Sequence, residues 1–142
     1  TFSKAYGLAG LRVGYALSSI ALADLFNRVR QPFNVNSVAL AAATAALADA
    51  AHVAATVNLN AQERVMLTQA LTALGLVVIP SVANFVCVDV GRPARPVFDA
   101  LLRHGLITRP VAEYGLPQHL RISVGLPEQN QRLVAVLAEV LR

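Results

Sequence analysis

The chain opens with the run Thr1-Phe2-Ser3-Lys4-Ala5-Tyr6-Gly7-Leu8-Ala9-Gly10-Leu11-Arg12-Val13-Gly14, which decides how the rest is interpreted. Lys4 is the only lysine of the protein, and every other basic residue except the histidines is arginine. A lysine this close to a chain end is often just an exposed residue of a frayed terminus. Here, however, three glycines surround it and Arg12, and glycine lets the backbone approach a ligand closely. The run therefore suits a small anionic ligand.

Two nucleotide-binding patterns do not fit this run. A P-loop places its glycines before the lysine, whereas here they follow it. The spacing Gly7-x-x-Gly10-x-x-x-Gly14 also differs from the GxGxxG dinucleotide fingerprint, and no strand-forming run precedes it. The remaining use of a lone lysine is covalent, because a desolvated amine can form a Schiff base with a carbonyl cofactor such as pyridoxal phosphate. Nearby hydroxyls and Arg12 would then hold the cofactor phosphate.

The run from Ser3 to Tyr15 resembles the cofactor-lysine signature of fold-type I pyridoxal-phosphate aminotransferases, in the branch that includes histidinol-phosphate aminotransferase. The resemblance implies that Lys4 carries the cofactor covalently and is the catalytic residue. It also implies that Thr1, Ser3 and Arg12 bind the cofactor phosphate.

A second candidate site centres on Arg121, which lies between Leu120 and Ile122 in an apolar strand pattern. A buried guanidinium needs a partner, so one interpretation is a salt bridge with Glu113 or Glu128. The other is that its planar fork clamps a substrate carboxylate. The run Leu120-Arg121-Ile122-Ser123-Val124-Gly125 resembles the small-domain motif whose arginine binds the substrate α-carboxylate in the same family.

Two further arginines are candidate substrate-binding residues. Arg132 falls where the family often has an arginine, although a salt bridge on a helix surface explains it equally well. Arg109 precedes Pro110 and would line the active site, or else simply end an exposed strand. The Asn84-Phe85 pair matches a recurring strand start of the family and is assigned no chemistry.

The implied fold class is α/β, with the chain as the C-terminal portion of a fold-type I enzyme. Residues 1–60 would end the large cofactor domain, and residues 61–142 would form a small α+β domain. The chain would then be the C-terminal part of a longer polypeptide, which would form a homodimer. Its residues alone make the segment Gln31–Ser37 an ordinary loop between helices, but its Pro-Phe-Asn-Val-Asn pattern resembles the family region near the dimer interface and the entrance of the active site.

The implied activity is transamination between small-molecule amino and keto acids, in which Lys4 moves a proton as general acid–base. Histidinol phosphate and 2-oxoglutarate are the expected substrates, which would place the enzyme in histidine biosynthesis. Related branches that act on aromatic amino acids or decarboxylate threonine phosphate remain alternatives. So does a non-catalytic fragment that dimerises or binds anions.

Composition narrows the class of protein. The sequence is 56% hydrophobic and 14% charged, which is typical of a globular domain. The net charge of +4 is spread along the chain without a basic patch, so nucleic-acid binding is not expected. The single Cys87 fits a reducing, cytoplasmic compartment, and the scattered histidines predict no metal site. No apolar run is long enough to span a membrane.

Periodicity and caps predict the secondary structure. Helices are expected at 20–30, 38–48, 51–74, from Pro93 and Pro96 to His104, and from Pro127 onward. Strands are expected at 13–17, 76–79, 84–90, 106–109 and 120–124. The apolar residues of the first helix are expected to be buried; they are Leu22, Leu25, Phe26 and Val29.

Overall fold

The structure is a computed structural model that describes residues 1–142. The chain divides into two compact units, Thr1–Val57 and Asn58–Arg142. The division falls inside one long helix, which runs from Ala50 to Ala73. The boundary near residue 60, and the assignment of the two parts to a large and a small domain, stay predictions.

The N-terminal unit is helical. Its elements are a short 3-10 turn (Ala9–Leu11), α1 (Ile20–Val29), α2 (Ser37–Ala48) and the first turns of α3 (Ala50–Ala73). The Ser19 hydroxyl accepts a hydrogen bond from the Leu22 N–H, and the Asn36 side chain accepts one from the Ala39 N–H at 2.8 Å. These caps satisfy N–H groups that have no partner within the helix, so α1 and α2 begin where the sequence predicts.

The core of the N-terminal unit is small. Its buried residues are Phe2, Val13, Ala39 and Ala43. The prediction that α1 buries an apolar face is wrong for this chain, because no residue of α1 is buried. Phe26 is 54% exposed and Val29 is 79% exposed. The helical spacing of these residues is real, but no element of the unit covers them.

The segment Val13–Leu17 was expected to be a strand, and this prediction is also wrong. Its backbone is not part of any sheet. One ladder-like bond, from the Phe2 N–H to the Val13 carbonyl at 3.1 Å, is its only such contact with the start of the chain. A β-strand is stabilised by neighbours that pair with it along its length, and the unit supplies none.

The C-terminal unit is a four-stranded antiparallel sheet with helices. The strands are β1 (Val77–Ile79), β2 (Phe85–Asp89), β3 (Arg109–Val111) and β4 (Leu116–Ser123), in the order β1-β2-β4-β3. The remaining helices are α4 (Ala94–Arg103) and α5 (Pro127–Val140). Helices and strands therefore occur in the predicted alternation.

Two strands differ most from the prediction. β3 spans Arg109–Val111 instead of 106–109, and β4 begins at Leu116 instead of residue 120. The other ends of the four strands differ by at most one residue. β3 pairs only with β4, so it is an edge strand, and an edge strand tolerates Pro110. The ladder between them shifts register between Pro110 and Val111. Such an irregularity depends on the partner strand, and local sequence does not reveal it.

The two faces of the sheet differ in character. Alternate residues of β2 and β4 are buried with the apolar sides of the helices, where Leu67, Leu71, Leu101 and Leu137 are almost completely inaccessible. The opposite face carries Phe85 and Cys87 of β2 and Arg121 of β4, which are only partly buried. The core therefore lies on one side of the sheet and leaves the other side for polar chemistry.

Taken singly, every helix is too short or too polar to cross a membrane. The pair α2 and α3 meets the length and composition criteria only when both are counted together, and they meet at a bend of 79°.

Candidate active site

The hydroxyl groups that precede Lys4 lie together. Thr1 Oγ1 donates a hydrogen bond to Ser3 Oγ at 2.9 Å, and the Ser3 N–H donates to Thr1 Oγ1 at 3.2 Å. Two hydroxyls and a backbone N–H are thus grouped one to three residues before the lysine. The Ser3 O–H is left free by these two bonds to donate to a phosphate oxygen, and the other two donors can exchange their bonds for a phosphate.

The backbone around these hydroxyls is closed tightly. The Leu8 N–H donates to the Phe2 carbonyl at 2.9 Å, and the Phe2 ring is buried against Tyr6 with 4.8 Å between ring centroids. At Gly14, an added Cβ would lie 3.2 Å from the Thr1 Cα. Glycine at position 14 therefore permits close contact with the Thr1 backbone.

Lys4 stands at the start of a tight turn. Its carbonyl accepts a hydrogen bond from the Gly7 N–H at 2.9 Å, and Gly7 has a φ of 71°, which a residue with a Cβ rarely adopts. The Lys4 side chain is exposed and takes part in none of the salt bridges. Its amine is therefore accessible for covalent chemistry.

Arg12 has an unusual backbone conformation. Its φ of 54° lies in the left-handed region, and only Phe33 shares this feature among the non-glycine residues. This conformation costs on the order of 1–3 kcal/mol, and such residues are concentrated at functional sites. Arg12 Nη1 donates to the Ala9 carbonyl at 2.7 Å, which orients the guanidinium and leaves its other N–H groups for a ligand.

These residues fit pyridoxal phosphate by the chemistry of their donor groups. Thr1 and Ser3 offer clustered hydroxyls, Arg12 offers a guanidinium held by one edge, and Lys4 offers an accessible primary amine. Hydroxyl and guanidinium groups bind a phosphate through hydrogen bonds, and a primary amine forms a Schiff base with an aldehyde. The sequence-predicted cofactor residues all lie in the N-terminal unit, and their roles stay predictions.

Arg121 lies in the C-terminal unit and is half-buried, not fully buried as the apolar strand pattern suggested. Neither Glu113 nor Glu128 forms a salt bridge with it. Its guanidinium carbon lies 5.2 Å from the centroid of the Phe85 ring, a cation–π contact. The salt-bridge interpretation is thus contradicted, while the role of Arg121 in substrate binding stays a prediction.

Arg109 lies directly opposite Arg121 in the β3–β4 register. Its Nη2 is 2.9 Å from Glu113 Oε1, and this hydrogen bond raises the pKa of the Arg109 guanidinium. The pKa of Glu113 is held below its ordinary value, first by a hydrogen bond from its own backbone N–H and then by Arg109. The pair is exposed, so this ion pair is screened by solvent and contributes little to stability.

Arg132 is engaged elsewhere. Its Nη2 donates to the His104 carbonyl at 2.7 Å, just after the end of α4. A positive charge at that position also complements the helix dipole. This contact favours a structural role for Arg132, and its role in substrate binding stays a prediction.

Phe85 is the residue that sequence reasoning missed. Its ring meets Arg121 because Phe85 opposes Ser123 and Cys87 opposes Arg121 in the β2–β4 register. The Ala-Asn-Phe pattern drew attention to the position, but the register that reveals the contact is a long-range property.

Comparisons with known proteins identify the class. Residues 1–137 match the model of the family "Aminotransferase class I and II". The chain belongs to this family, which confirms the recognised resemblance and the α/β fold class. It is therefore part of an enzyme family whose members act on small-molecule amino and keto acids.

Individual relatives show which members of the family this chain resembles. The chain is 62% identical over 141 residues to histidinol-phosphate aminotransferase 2 of Pasteurella multocida and 60% identical to that of Pseudomonas aeruginosa, covering 99% of this chain. It spans 39% and 38% of those proteins, about two fifths of their length.

Solved structures with a similar fold come from the same group of enzymes. The Sinorhizobium meliloti histidinol-phosphate aminotransferase, solved with pyridoxal-5′-phosphate, has a TM-score of 0.90 and 38% identity, with all of this chain and 40% of that chain covered. The L-threonine-O-3-phosphate decarboxylase of Porphyromonas gingivalis has a TM-score of 0.89 and 27% identity, with 99% of this chain and 45% of that chain covered.

Proposed function

We propose that this chain supplies the cofactor lysine and the substrate-binding arginines of a pyridoxal-phosphate-dependent histidinol-phosphate aminotransferase. The reaction converts histidinol phosphate and 2-oxoglutarate to imidazole acetol phosphate and glutamate. The observation that carries the proposal is the group formed by Thr1, Ser3, Lys4 and Arg12, whose donors match the phosphate and the aldehyde of the cofactor. The names of the relatives supply the substrate.

Each residue of the proposed site has a separate role in the reaction. Thr1 and Ser3 donate hydroxyl hydrogen bonds to the cofactor phosphate, and Arg12 adds charge-assisted ones. Pyridoxal phosphate, when bound, withdraws electrons from the α-carbon of the amino acid. The Lys4 amine would take the proton from that carbon as general base and deliver it, as general acid, to the C4′ carbon of the bound cofactor. Arg121, with Arg109 beside it, binds an anionic group of the substrate, and Arg132 stays the least supported of the three.

We further propose that the complete enzyme is a cytoplasmic homodimer, with residues 1–60 ending its large domain and residues 61–142 forming its small one. Support for an interface near Gln31–Ser37 comes from Phe33, which is 97% exposed and has a left-handed φ of 55°. A strained, fully exposed aromatic residue is costly for an isolated surface. No nucleic acid or membrane partner is part of the proposal.

The cofactor assignment has a direct test, because Lys4 is the only lysine. The chain is incubated with pyridoxal phosphate, reduced with borohydride and mapped by mass spectrometry. We expect one adduct on Lys4, and we expect Arg12→Gln to require more cofactor for half-maximal labelling. Peptide mapping separates Lys4 from the α-amino group at the start of the expressed polypeptide, which serves as an internal control. An adduct confined to that α-amino group would contradict the assignment and favour a non-catalytic, anion-binding module.

The substrate has its own test. A chimera places this chain in the matching region of the Pasteurella multocida relative, which is 62% identical over 141 residues. We expect transamination of histidinol phosphate with 2-oxoglutarate and its loss in Lys4→Ala. Preference for phenylalanine would favour an aromatic aminotransferase. Release of carbon dioxide from threonine phosphate would favour the decarboxylase branch, which the structural similarity to the Porphyromonas gingivalis enzyme makes the second candidate.

A further inference from the structure

The open face of the sheet brings an aromatic ring beneath one arginine. Phe85 opposes Ser123, and Cys87 opposes Arg121, so Phe85 is the diagonal neighbour of Arg121 on the same face. The guanidinium carbon of Arg121 lies 5.2 Å from the centroid of the Phe85 ring. The ring therefore faces the guanidinium group itself.

The edges of this guanidinium are not taken by an acidic partner. The three salt bridges of the chain join Arg28 to Asp24, Arg95 to Asp99 and Arg109 to Glu113. An aromatic ring attracts the flat face of a guanidinium, whereas anions bind at its N–H edge. Contact with Phe85 thus restricts the side chain without consuming its binding groups.

Hydrogen bonds to the backbone of residues 83–85 hold the start of β2, and with it Phe85, in place. The Phe85 carbonyl accepts from Ser81 Oγ at 2.6 Å, and the Asn84 carbonyl accepts from the Val124 N–H at 2.9 Å. Two side chains of α3, Asn60 and Arg64, donate to the Ala83 carbonyl at 3.3 and 3.2 Å. The strand start that carries the ring is therefore tied to both β4 and α3.

We propose that Phe85 is a positioning residue, whose ring pre-orients the guanidinium of Arg121 so that its N–H edge binds an anionic group of the substrate. This inference rests on the proposed function of Arg121. A restrained side chain loses less conformational entropy on binding than a mobile one. The entropy of ordering one such side chain, which the contact removes from the binding step, corresponds to about a 3- to 10-fold effect on affinity.

The test uses inorganic phosphate as the anionic probe and NMR of the arginine side chains as the readout, and every variant is compared in an Arg12→Gln background, which weakens the proposed phosphate site of the N-terminal unit. In the unaltered chain we expect the side-chain protons of Arg121 to be shifted by the Phe85 ring current. Phe85→Leu removes that shift and raises the Kd for phosphate about 3- to 10-fold. Phe85→Trp restores both, because indole is the strongest cation–π partner. A merely structural role would not give this recovery of shift and affinity together.

Phe98 provides the matched control, because its ring lies 5.5 Å from the guanidinium carbon of Arg95 on α4. Phe98→Leu deletes an equivalent ring and should leave phosphate binding at Arg121 unchanged. If Arg121→Ala weakens binding but Phe85→Leu does not, the positioning role is wrong and the anion role of Arg121 stands. If Arg121→Ala has no effect on phosphate binding, the proposed function of Arg121 fails, and the positioning role fails with it.

Discussion

Asn130 should be one of the most sensitive polar positions of the C-terminal unit. It is buried in the first turns of α5, and its Nδ2 donates to Glu63 Oε2 of α3 at 2.8 Å and to the Gly125 carbonyl at 3.1 Å. Its Oδ1 accepts from the Gly125 N–H at 2.9 Å. One side chain therefore connects α3, α5 and the turn that follows β4.

We expect Asn130→Ala to lower the free energy of unfolding by about 3 kcal/mol. A hydrogen bond to a charged group contributes about 1.5–3 kcal/mol and a neutral one about 0.5–1.5 kcal/mol. Alanine is the better helix former and recovers roughly 0.5 kcal/mol of that loss. The substitution also leaves the polar groups of Gly125 without their partner, which adds to the cost.

Urea unfolding followed by circular dichroism measures the loss, and hydrogen exchange at the Gly125 amide shows whether the turn has opened. Gln131→Ala is the matched control, because Gln131 is the next residue of α5 and is exposed; we expect it to change stability by no more than about 0.5 kcal/mol. Glu63→Ala combined with Asn130→Ala should show a coupling of at least about 1 kcal/mol. A change below about 1 kcal/mol for Asn130→Ala, with the Gly125 amide still protected, would refute the reasoning.

Two further predictions concern packing and charge. Phe26→Ala on the exposed face of α1 should lower the free energy of unfolding by less than about 1 kcal/mol in this chain. Leu137→Ala, which empties a fully buried site, should lower it by about 2–5 kcal/mol. Urea unfolding measures both losses, and equal losses would show that α1 is covered. The pKa of Glu113 is lowered in the folded state, so its stabilising effect is present above the ordinary carboxyl pKa and is lost as the pH falls through the folded value. Glu113→Gln should thus be less stable than the unaltered chain at pH 7, and the stabilities of the two proteins should converge in acid. A stability difference that does not depend on pH would exclude the ionised carboxylate as the source of that difference.

Local signals predicted what depends on local chemistry. Ser19 and Asn36 could be recognised as caps because a short polar side chain ahead of a helical pattern satisfies the first N–H groups. The candidate cofactor residues could be singled out because one lysine stands among glycines and hydroxyls, and their roles stay predictions. Such features lie within a few residues of one another, so no partner from elsewhere in the chain is needed to recognise them.

Features that depend on distant partners could not be predicted. The apolar spacing in α1 was recognised, but burial requires a covering element, and the N-terminal unit has none for Phe26 or Val29. The early start of β4 follows from its pairing with β3 and from the register shift after Pro110. The partner of Arg121 proved to be the Phe85 ring and not a glutamate, because the β2–β4 register decides which side chains meet.

The same register explains how two arginines can lie opposite each other on adjacent strands. Arg109 and Arg121 are direct cross-strand partners, and like charges in this arrangement repel. Glu113 offsets the charge of Arg109 through a 2.9 Å contact, and its lowered pKa keeps the carboxylate ionised below the ordinary carboxyl range. Phe85 occupies the face of the other guanidinium without neutralising it. Glu113 hydrogen-bonds to Arg109 and interacts with Arg121 only through the charge attraction that also lowers its pKa, so the N–H edge of the Arg121 guanidinium stays free to bind an anion.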